Sequence, residues 1–313
     1  MHRIRHLWIR PWLLPLIMGL LLLAIGFGGR LLPQTSADLV VWEPLLERLT
    51  DEGHDPGELR AVFEDPRARY DPSAMASKLQ ALLRQRRQVA GETREQPEVH
   101  GRYLSPLALA GARAYLDLNL KILEEAERLY GVDKEIQVAI LLIESKLGMT
   151  TGKDDALVTL ASMALSADFE RVKPHIGWSR LEQEEQAWIE SRNADKAAWA
   201  YRELSALLRY AKMAGRNPLD IPSSVYGAIG YPQFMPSNAL AYGVDGDGDG
   251  VIDLFTTVDA VHSLCNFLKR HGWRQDLDRE RRHEVIYKYN HDHVYARTVL
   301  AIADRLKSKD GLI

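Results

Sequence analysis

The sequence of 313 residues has a single cysteine, no excess of positive charge and almost no alternation of apolar with polar residues. One cysteine, Cys265, excludes an internal disulfide, and no cysteine follows the N-terminal apolar run to carry a lipoprotein anchor. The net charge of -3, from 40 basic and 43 acidic residues, lacks the basic excess typical of nucleic-acid binders, so we expect no nucleic-acid partner. Cys265 shares a helical stripe with Val261, Leu264 and Leu268, which predicts a buried thiol.

The scarcity of alternating patterns favours an all-α protein with at most a very small β element. The hydrophobic fraction of 46% is ordinary for a globular protein, and the chain is long enough to bury a sizeable core. Helix caps, among them Ser105 with Pro106, Asp133 and Asp195, and terminating glycines mark the helix boundaries. The predicted helices cover residues 105–131, 133–148, 195–215, 257–271, 276–289 and 292–307.

The N-terminus has the pattern of an export signal. Residues 2–10 contain three arginines and no acid, and residues 13–28 are apolar throughout. A basic segment followed by an apolar run is typical of a secretory signal, and the positive flank keeps the N-terminus cytoplasmic. We therefore expect residues 1–35 to be either a cleaved signal peptide or a retained membrane anchor. The body is expected in the periplasm, either free or anchored in the inner membrane.

A polar, charged stretch at residues 84–102 lacks a periodic apolar face. Such a stretch is typical of a surface linker or a frayed helix end. It divides a small helical region, residues 36–100 with the linker, from a main domain at residues 101–313.

Glu144 is placed where a carboxyl group stays protonated. The helix that begins at Asp133 is apolar on most of its circumference, which predicts burial, and Glu144 interrupts that surface in the last turn. Apolar surroundings and the negative end of the helix dipole both raise the pKa of a carboxyl group, as a general acid requires. The alternative is that Glu144 reaches solvent or pairs with Lys146 or an arginine.

Residues 223–237, S-S-V-Y-G-A-I-G-Y-P-Q-F-M-P-S, are dense in turn formers and aromatic residues. Glycine lets a backbone approach a ligand closely. Tyr226 offers a flat apolar face, and Ser224 and Gln233 offer hydrogen bonds, which together suit a sugar. An ordinary packed loop is the alternative.

Residues 245–256 contain most of an EF-hand calcium loop. The expected ligands are the side chains of Asp245, Asp247, Asp249 and Asp253 and the carbonyl of Val251. Position 12, which should be a bidentate glutamate, is Thr256, so we expect a weak, structural Ca²⁺ site. A solvated acidic turn is the alternative. His291 and His293 lack the spacing of a metal site and are interpreted as surface histidines.

Four ordered segments between about residues 100 and 310 together resemble the B-type lytic murein transglycosylases. Residues 143–148, I-E-S-K-L-G, look like the end of that family's catalytic helix, and residues 226–237 look like its glycine-rich Q-F-M-P-S signature. The acidic loop falls where the family has its calcium loop. Tyr289-Asn290, with Tyr295 beyond, looks like the C-terminal Tyr-Asn motif.

The resemblance implies a lysozyme-like helical domain that cleaves the glycan strands of peptidoglycan. Glu144 would be the single acid/base, and the product would carry a 1,6-anhydro ring, with no cofactor needed for catalysis. Ser224 and Gln233 would hold the substrate, and Tyr289 and Asn290 would position sugar and acid. Two alternatives stay open at this point: a muramidase whose second carboxylate is Asp154 or Asp155, and a wall-binding protein without activity.

Overall fold

The computed structural model describes residues 39–90 and 97–308. The predicted export segment at residues 1–35 lies outside the described residues. Within these ranges the chain forms twelve α-helices: α1 (Glu43–Asp51), α2 (Pro56–Phe63), α3 (Pro72–Ala90), α4 (Pro106–Leu118), α5 (Leu120–Tyr130), α6 (Lys134–Ser145), α7 (Ala156–Leu165), α8 (Gln183–Met213), α9 (Pro236–Tyr242), α10 (Thr257–Arg270), α11 (Arg279–Tyr289) and α12 (His293–Lys307).

The one sheet of the described chain consists of two short strands, β1 (Asp154–Asp155) and β2 (Pro222–Ser223). They pair antiparallel, with Asp154 opposite Ser223 and Asp155 opposite Pro222. The remaining elements are 3₁₀ turns at Gly101–Leu104, Phe169–Arg171, Lys173–His175, Trp178–Arg180 and Pro218–Asp220. The prediction of an all-α fold with a very small β element is therefore confirmed.

The predicted helix over residues 105–131 is wrong as a single helix, because the chain breaks at Asn119 into α4 and α5. The Asn119 side chain donates to the carbonyl oxygen of Tyr115 (2.9 Å), and asparagine competes in this way with the helical hydrogen bonds. Both predicted ends are confirmed. Ser105 accepts a hydrogen bond from the Ala108 N–H, and Gly131 ends α5 with a φ of 73°.

The predicted start of a helix at Asp195 is wrong, since α8 begins after Glu182, where Glu182 and Glu185 form a capping box. Asp195 is an exposed residue inside α8 and pairs with Arg192 one turn earlier (3.3 Å). Buried residues such as Ile189 and Asn193 hold the first half of α8 against the core. Tertiary packing thus overrides the capping preference of Asp195.

Asp133 lies at the N-cap position of α6, but its side chain makes no capping hydrogen bond, so this predicted role is wrong. Its buried carboxylate instead pairs with Arg282 of α11 (2.8 Å) and with Lys307 of α12. These two cations hold the pKa of Asp133 below its ordinary value, against the effect of burial. The start of α6 is thereby tied to the two C-terminal helices.

Helices α1 to α3 pack against the rest of the chain within one cluster of buried apolar residues, which runs from Trp42 to Leu306 and includes Cys265. Tyr201 donates to the carbonyl oxygen of Arg48 (3.1 Å), and His54 is hydrogen-bonded to Ser205 (2.9 Å). The first residues of the predicted linker are helical, since α3 continues to Ala90. The division into two regions stays a prediction. No helix in the described ranges is long and apolar enough to cross a membrane.

Candidate active site

Glu144 lies in the last turn of α6, where the sequence pattern predicts it. From Ile136 onward, the side chains of this helix are buried except for Ile143 and Glu144, which are half-buried. The backbone turns sharply after Ser145, because Lys146 and Leu147 adopt left-handed conformations with φ of 49° and 64°. The Ser145 hydroxyl accepts a hydrogen bond from the Gly148 N–H (3.0 Å), which fixes this turn. A rigid helix end therefore holds Glu144.

The hydrogen-bond partner of Glu144 is Tyr295 of α12, whose hydroxyl donates to Oε1 at 2.6 Å. Lys146 is exposed, and no arginine or lysine of the described residues forms an ion pair with Glu144. Burial raises the pKa of Glu144 to about 7, while the hydrogen bond from Tyr295 acts in the opposite direction. The carboxyl group is thus balanced between its protonated and ionised forms near neutral pH, which suits an acid that later acts as a base.

Tyr289, at the end of α11, lies beside Tyr295 with the two rings nearly parallel and their centroids 6.5 Å apart. Its hydroxyl donates to the carbonyl oxygen of Pro232, which ties α11 to the glycine-rich turn. Burial raises the pKa of both tyrosines well above the ordinary value, so both hydroxyls stay protonated donors. Asn290 follows with an exposed side chain. From sequence, Tyr295 is noted only as lying beyond the Tyr-Asn motif and is given no role in the site, although it is the direct partner of Glu144.

Ser224 and Gln233 hold the glycine-rich turn together. The Ser224 hydroxyl accepts from the N–H groups of Tyr226 (3.4 Å) and Ala228 (3.1 Å). The Gln233 side chain donates to the carbonyl oxygens of Gly230 (2.8 Å) and Thr151 (3.3 Å). Gln233 therefore links the turn to the segment that follows Glu144.

Two glycines allow this turn to approach the segment after α6. A Cβ at Gly148 would lie 2.7 Å from the ring of Tyr231, and a Cβ at Gly152 would overlap the carbonyl oxygen of Ser223. Both glycines also have positive φ, which disfavours any side chain. Tyr226, in contrast, lies under Lys78 of α3, with the ammonium 3.8 Å from the ring centroid.

The acidic loop gathers three carboxylates, but one of them differs from the prediction. Oxygens of Asp245, Asp247 and Asp259 lie within 4.8 Å of one another. The predicted ligand Asp253 instead pairs with Arg216 (2.6 Å), and Asp249 accepts from the Val251 N–H (2.8 Å). Thr256, at loop position 12, is the N-cap of α10. Asp259, in the first turn of α10, is the third carboxylate of this cluster, and its oxygens accept hydrogen bonds from the N–H groups of Gly246 (2.8 Å) and Asp253 (2.7 Å).

The burial of Asp259 fits a cation at this cluster. Its side chain is buried, and burial raises its pKa above the ordinary value; hydrogen bonds from the N–H groups of Asp253 and Gly246 act against this rise, and the like charges of Asp247 and Asp245 add to it. A divalent cation would offset this repulsion, and three carboxylates form a donor set that suits the hard ion Ca²⁺.

Comparisons with known proteins give a family and a fold. The model of the family described as "Transglycosylase SLT domain" matches residues 41–281, so Tyr289 and Tyr295 lie beyond the match. The "Membrane-bound lytic murein transglycosylase B" of Escherichia coli is 35% identical over 151 residues, which are 48% of this chain and 35% of the relative. The chain thus spans about a third of that relative's length.

Two solved structures share the fold at low sequence identity. The Escherichia coli lytic transglycosylase Slt35 in complex with calcium has a TM-score of 0.63 and 20% identity, over 85% of this chain and 92% of that one. SltB3 from Pseudomonas aeruginosa in complex with NAG-anhNAM-pentapeptide has a TM-score of 0.63 and 20% identity, over 85% of this chain and 78% of that one.

Proposed function

Because this chain belongs to the transglycosylase SLT domain family, we propose that it is a lytic transglycosylase of peptidoglycan. In this proposal it cleaves the bond between N-acetylmuramic acid and N-acetylglucosamine and leaves a 1,6-anhydro-N-acetylmuramic acid end. The observation that carries the proposal is the state of Glu144, a half-buried carboxyl group whose pKa is raised to about 7 and whose hydrogen-bond partner is Tyr295.

The mechanism uses Glu144 twice. First, protonated Glu144 gives its proton to the glycosidic oxygen, and the bond to the anomeric carbon of the muramic acid breaks. The acetamido oxygen of the same sugar stabilises the positive charge that develops. The carboxylate of Glu144 then accepts the proton of the C6 hydroxyl, whose oxygen bonds to the anomeric carbon. Glu144 regains its proton, and no water is consumed.

Tyr295 supports the ionised half of this cycle. A hydroxyl that donates to a carboxylate stabilises the charged form, and this is the form that Glu144 adopts between its two proton transfers. Burial favours the protonated form that begins the cycle. The two effects together keep both forms accessible at one pH.

The surroundings of Glu144 favour a transglycosylase over a muramidase. A hydrolase of this bond needs a second carboxylate about 5–9.5 Å from the first, as nucleophile or as base for water. Among the described residues, the side-chain partner of Glu144 is the hydroxyl of Tyr295, and no carboxyl group is hydrogen-bonded to it. Of the two candidates for a second carboxylate, Asp155 accepts from the Val158 N–H as the N-cap of α7, and Asp154 is exposed in β1.

The predicted substrate-binding residues keep their roles as part of this proposal. The amide of Asn290 is exposed beside Tyr289, and no residue in the described ranges donates to Oε1 of Gln233, so both can bond to sugar hydroxyls. Ser224 shapes the turn that carries Tyr226. We also place a structural Ca²⁺ at Asp245, Asp247 and Asp259, where it would tie the acidic loop to α10.

The proposed location is the periplasm, with association to the membrane. The Escherichia coli relative is named as membrane-bound, which supports association of this chain with a membrane. The basic and apolar pattern of residues 1–35 supports export from the cytoplasm. Fractionation of cells that express the full chain tests this, since activity in the cytosolic fraction would contradict it.

Turnover of purified peptidoglycan by Glu144→Gln tests the role of Glu144. The variant keeps the size of the side chain but has no proton to exchange, so we expect activity to fall below detection. Glu135→Gln, in the first turn of the same helix, is the matched control and should keep full activity. Wild-type turnover by Glu144→Gln would contradict the proposal.

A further inference from the structure

Glu203, in α8, has a buried carboxylate that takes no part in the proposed mechanism. Its side chain is only 6% exposed, and no lysine, arginine or histidine within residues 39–90 and 97–308 forms an ion pair with it. A carboxylate buried without a counter-ion costs stability unless hydrogen bonds satisfy its oxygens. The hydrogen bonds that Glu203 accepts therefore indicate its role.

Both oxygens of Glu203 accept hydrogen bonds from Ser237, the last residue of the glycine-rich turn. The Ser237 hydroxyl donates to Oε1 and the Ser237 N–H donates to Oε2, each at 2.9 Å. Ser237 is also the second residue of α9, whose N-cap position is occupied by Met235. The thioether of methionine is a weak acceptor, and Met235 makes no capping hydrogen bond. Glu203 thus caps α9 from a neighbouring helix.

A second residue of α8 holds the middle of the same turn. Tyr210 lies about two helical turns after Glu203, on the same face of α8. Its hydroxyl accepts from the Leu254 N–H (3.1 Å), and the Leu254 carbonyl oxygen accepts from the Tyr231 N–H (2.8 Å). Helix α8 therefore holds the turn at two points, through Leu254 and directly at Ser237.

Gln233, between these two points, has a backbone conformation that needs such support. Its φ of 49° lies in the left-handed region, which a residue other than glycine rarely adopts unless surrounding contacts hold it. Its side chain reaches the Thr151 carbonyl oxygen (3.3 Å), in the segment that follows Glu144. We propose that Glu203 is a positioning residue, which keeps Gln233 in its substrate-binding conformation by anchoring Ser237. The inference rests on the proposed function, in which Gln233 binds a sugar hydroxyl.

The anchor should affect binding of the glycan more than its cleavage. Without it, the first turn of α9 loses its cap and Gln233 can relax toward an ordinary conformation, which moves its amide oxygen away from the sugar. Glu144 and Tyr295 lie on α6 and α12, and the hydrogen bonds of Glu203 reach neither helix. KM should therefore rise while kcat and its pH dependence stay unchanged.

Kinetics on soluble glycan strands test this role. Glu203→Met has an apolar side chain of similar length and removes both hydrogen bonds, so we expect KM to rise about tenfold with wild-type kcat. Ser237→Ala removes one hydrogen bond and should raise KM about threefold. Glu203→Gln should keep the wild-type KM, because its amide can accept from the Ser237 N–H and donate to the Ser237 hydroxyl. Glu190→Met, at an exposed position of the same helix, is the matched control and should change nothing.

Binding without turnover gives a second measurement. In the Glu144→Gln background, Glu203→Met should weaken binding of NAG-anhNAM-pentapeptide, the muropeptide in the SltB3 complex, about tenfold. Thermal unfolding checks that each variant is folded. If Glu203→Met does not fold, Ser237→Ala replaces it, since that side chain lies on an exposed residue, and an unchanged KM in Ser237→Ala would then overturn the inference.

Unchanged KM and Kd values in a folded Glu203→Met would overturn the positioning role and leave the proposed function intact. A fall in kcat or a shifted pH profile at constant KM would mean that Glu203 acts on Glu144, and would also overturn the inference. The same holds if Glu203→Gln is as impaired as Glu203→Met. A wild-type chain that cleaves no glycan strand would overturn the proposed function and the inference with it.

Discussion

The hydroxyl of Tyr295 donates a 2.6 Å hydrogen bond to Glu144, across a separation of 151 residues in sequence. This bond joins the end of α6 to the start of α12, and Asp292 fixes that start by accepting from the Val294 N–H (2.7 Å). Burial raises the pKa of Glu144 and favours the protonated acid, whereas this hydrogen bond lowers the pKa. The pKa of Glu144 is therefore set by burial and by a hydrogen bond from a residue that only the tertiary fold brings to it.

Removal of the Tyr295 hydroxyl should move the pH profile. In Tyr295→Phe the ionised form of Glu144 loses its donor, so the pKa of Glu144 rises above the value of about 7 and the basic limb of kcat/KM moves to higher pH. We expect kcat to fall by about ten- to hundredfold, because a hydrogen bond to a charged group contributes about 1.5–3 kcal/mol. Tyr287→Phe, on the neighbouring segment, is the control. If the basic limb of kcat/KM does not move in Tyr295→Phe, the claim that Tyr295 lowers the pKa of Glu144 is contradicted.

Glu144 should destabilise the folded protein as pH rises. Its pKa is about 7 in the folded chain and 4.5 ordinarily, so the folded state binds the proton more tightly between these values. The free energy of unfolding therefore falls as pH increases from 4.5 to 7, by up to about 3 kcal/mol. Glu144→Gln should raise the Tm at pH 8 more than at pH 4.5. Equal Tm differences at the two pH values would count against the raised pKa.

Gly152 should tolerate no side chain. Alanine there would overlap the carbonyl oxygen of Ser223 and disturb the pairing of β1 with β2, so we expect a loss of more than about 3 kcal/mol. Gly111→Ala is the control, because this exposed glycine of α4 has open space around it and alanine favours helices by about 0.5–1 kcal/mol. Chemical denaturation measures both changes. A mild effect at Gly152 would mean that the turn and the segment after α6 are not packed as described.

Calcium should stabilise the protein through Asp259 rather than Asp253. A cation that binds only the folded state raises the Tm in proportion to its occupancy. Asp259→Asn should abolish the rise, whereas Asp253→Asn should lose the ion pair with Arg216 but keep the rise. The opposite pattern would restore the ligand set predicted from sequence.

The sequence predicts the parts of the site that depend on local pattern. The apolar circumference of α6, the position of Glu144 in its last turn and the glycine at residue 131 are all readable from residues a few positions apart. The same is true of Asp245 and Asp247 in the acidic loop.

The parts that sequence reasoning missed depend on distant contacts. Tyr295 becomes significant only when α12 packs against α6, and Asp259 lies beyond the twelve positions of a standard EF-hand loop. Asp133 and Asp195 have the preferences of helix caps, but ion pairs in one case and packing in the other decide their roles. Predictions made from local sequence preference were correct where no tertiary contact competed with that preference.

The central claim is that Glu144 closes a 1,6-anhydro ring without water. Digestion of purified peptidoglycan by the full chain in water enriched in heavy oxygen, followed by mass spectrometry, tests it directly. We predict products that lack heavy oxygen and are one water lighter than reducing muropeptides, and their absence with Glu144→Gln. Heavy oxygen at the new reducing ends would contradict the account and would identify a muramidase, which hydrolyses the same bond with water.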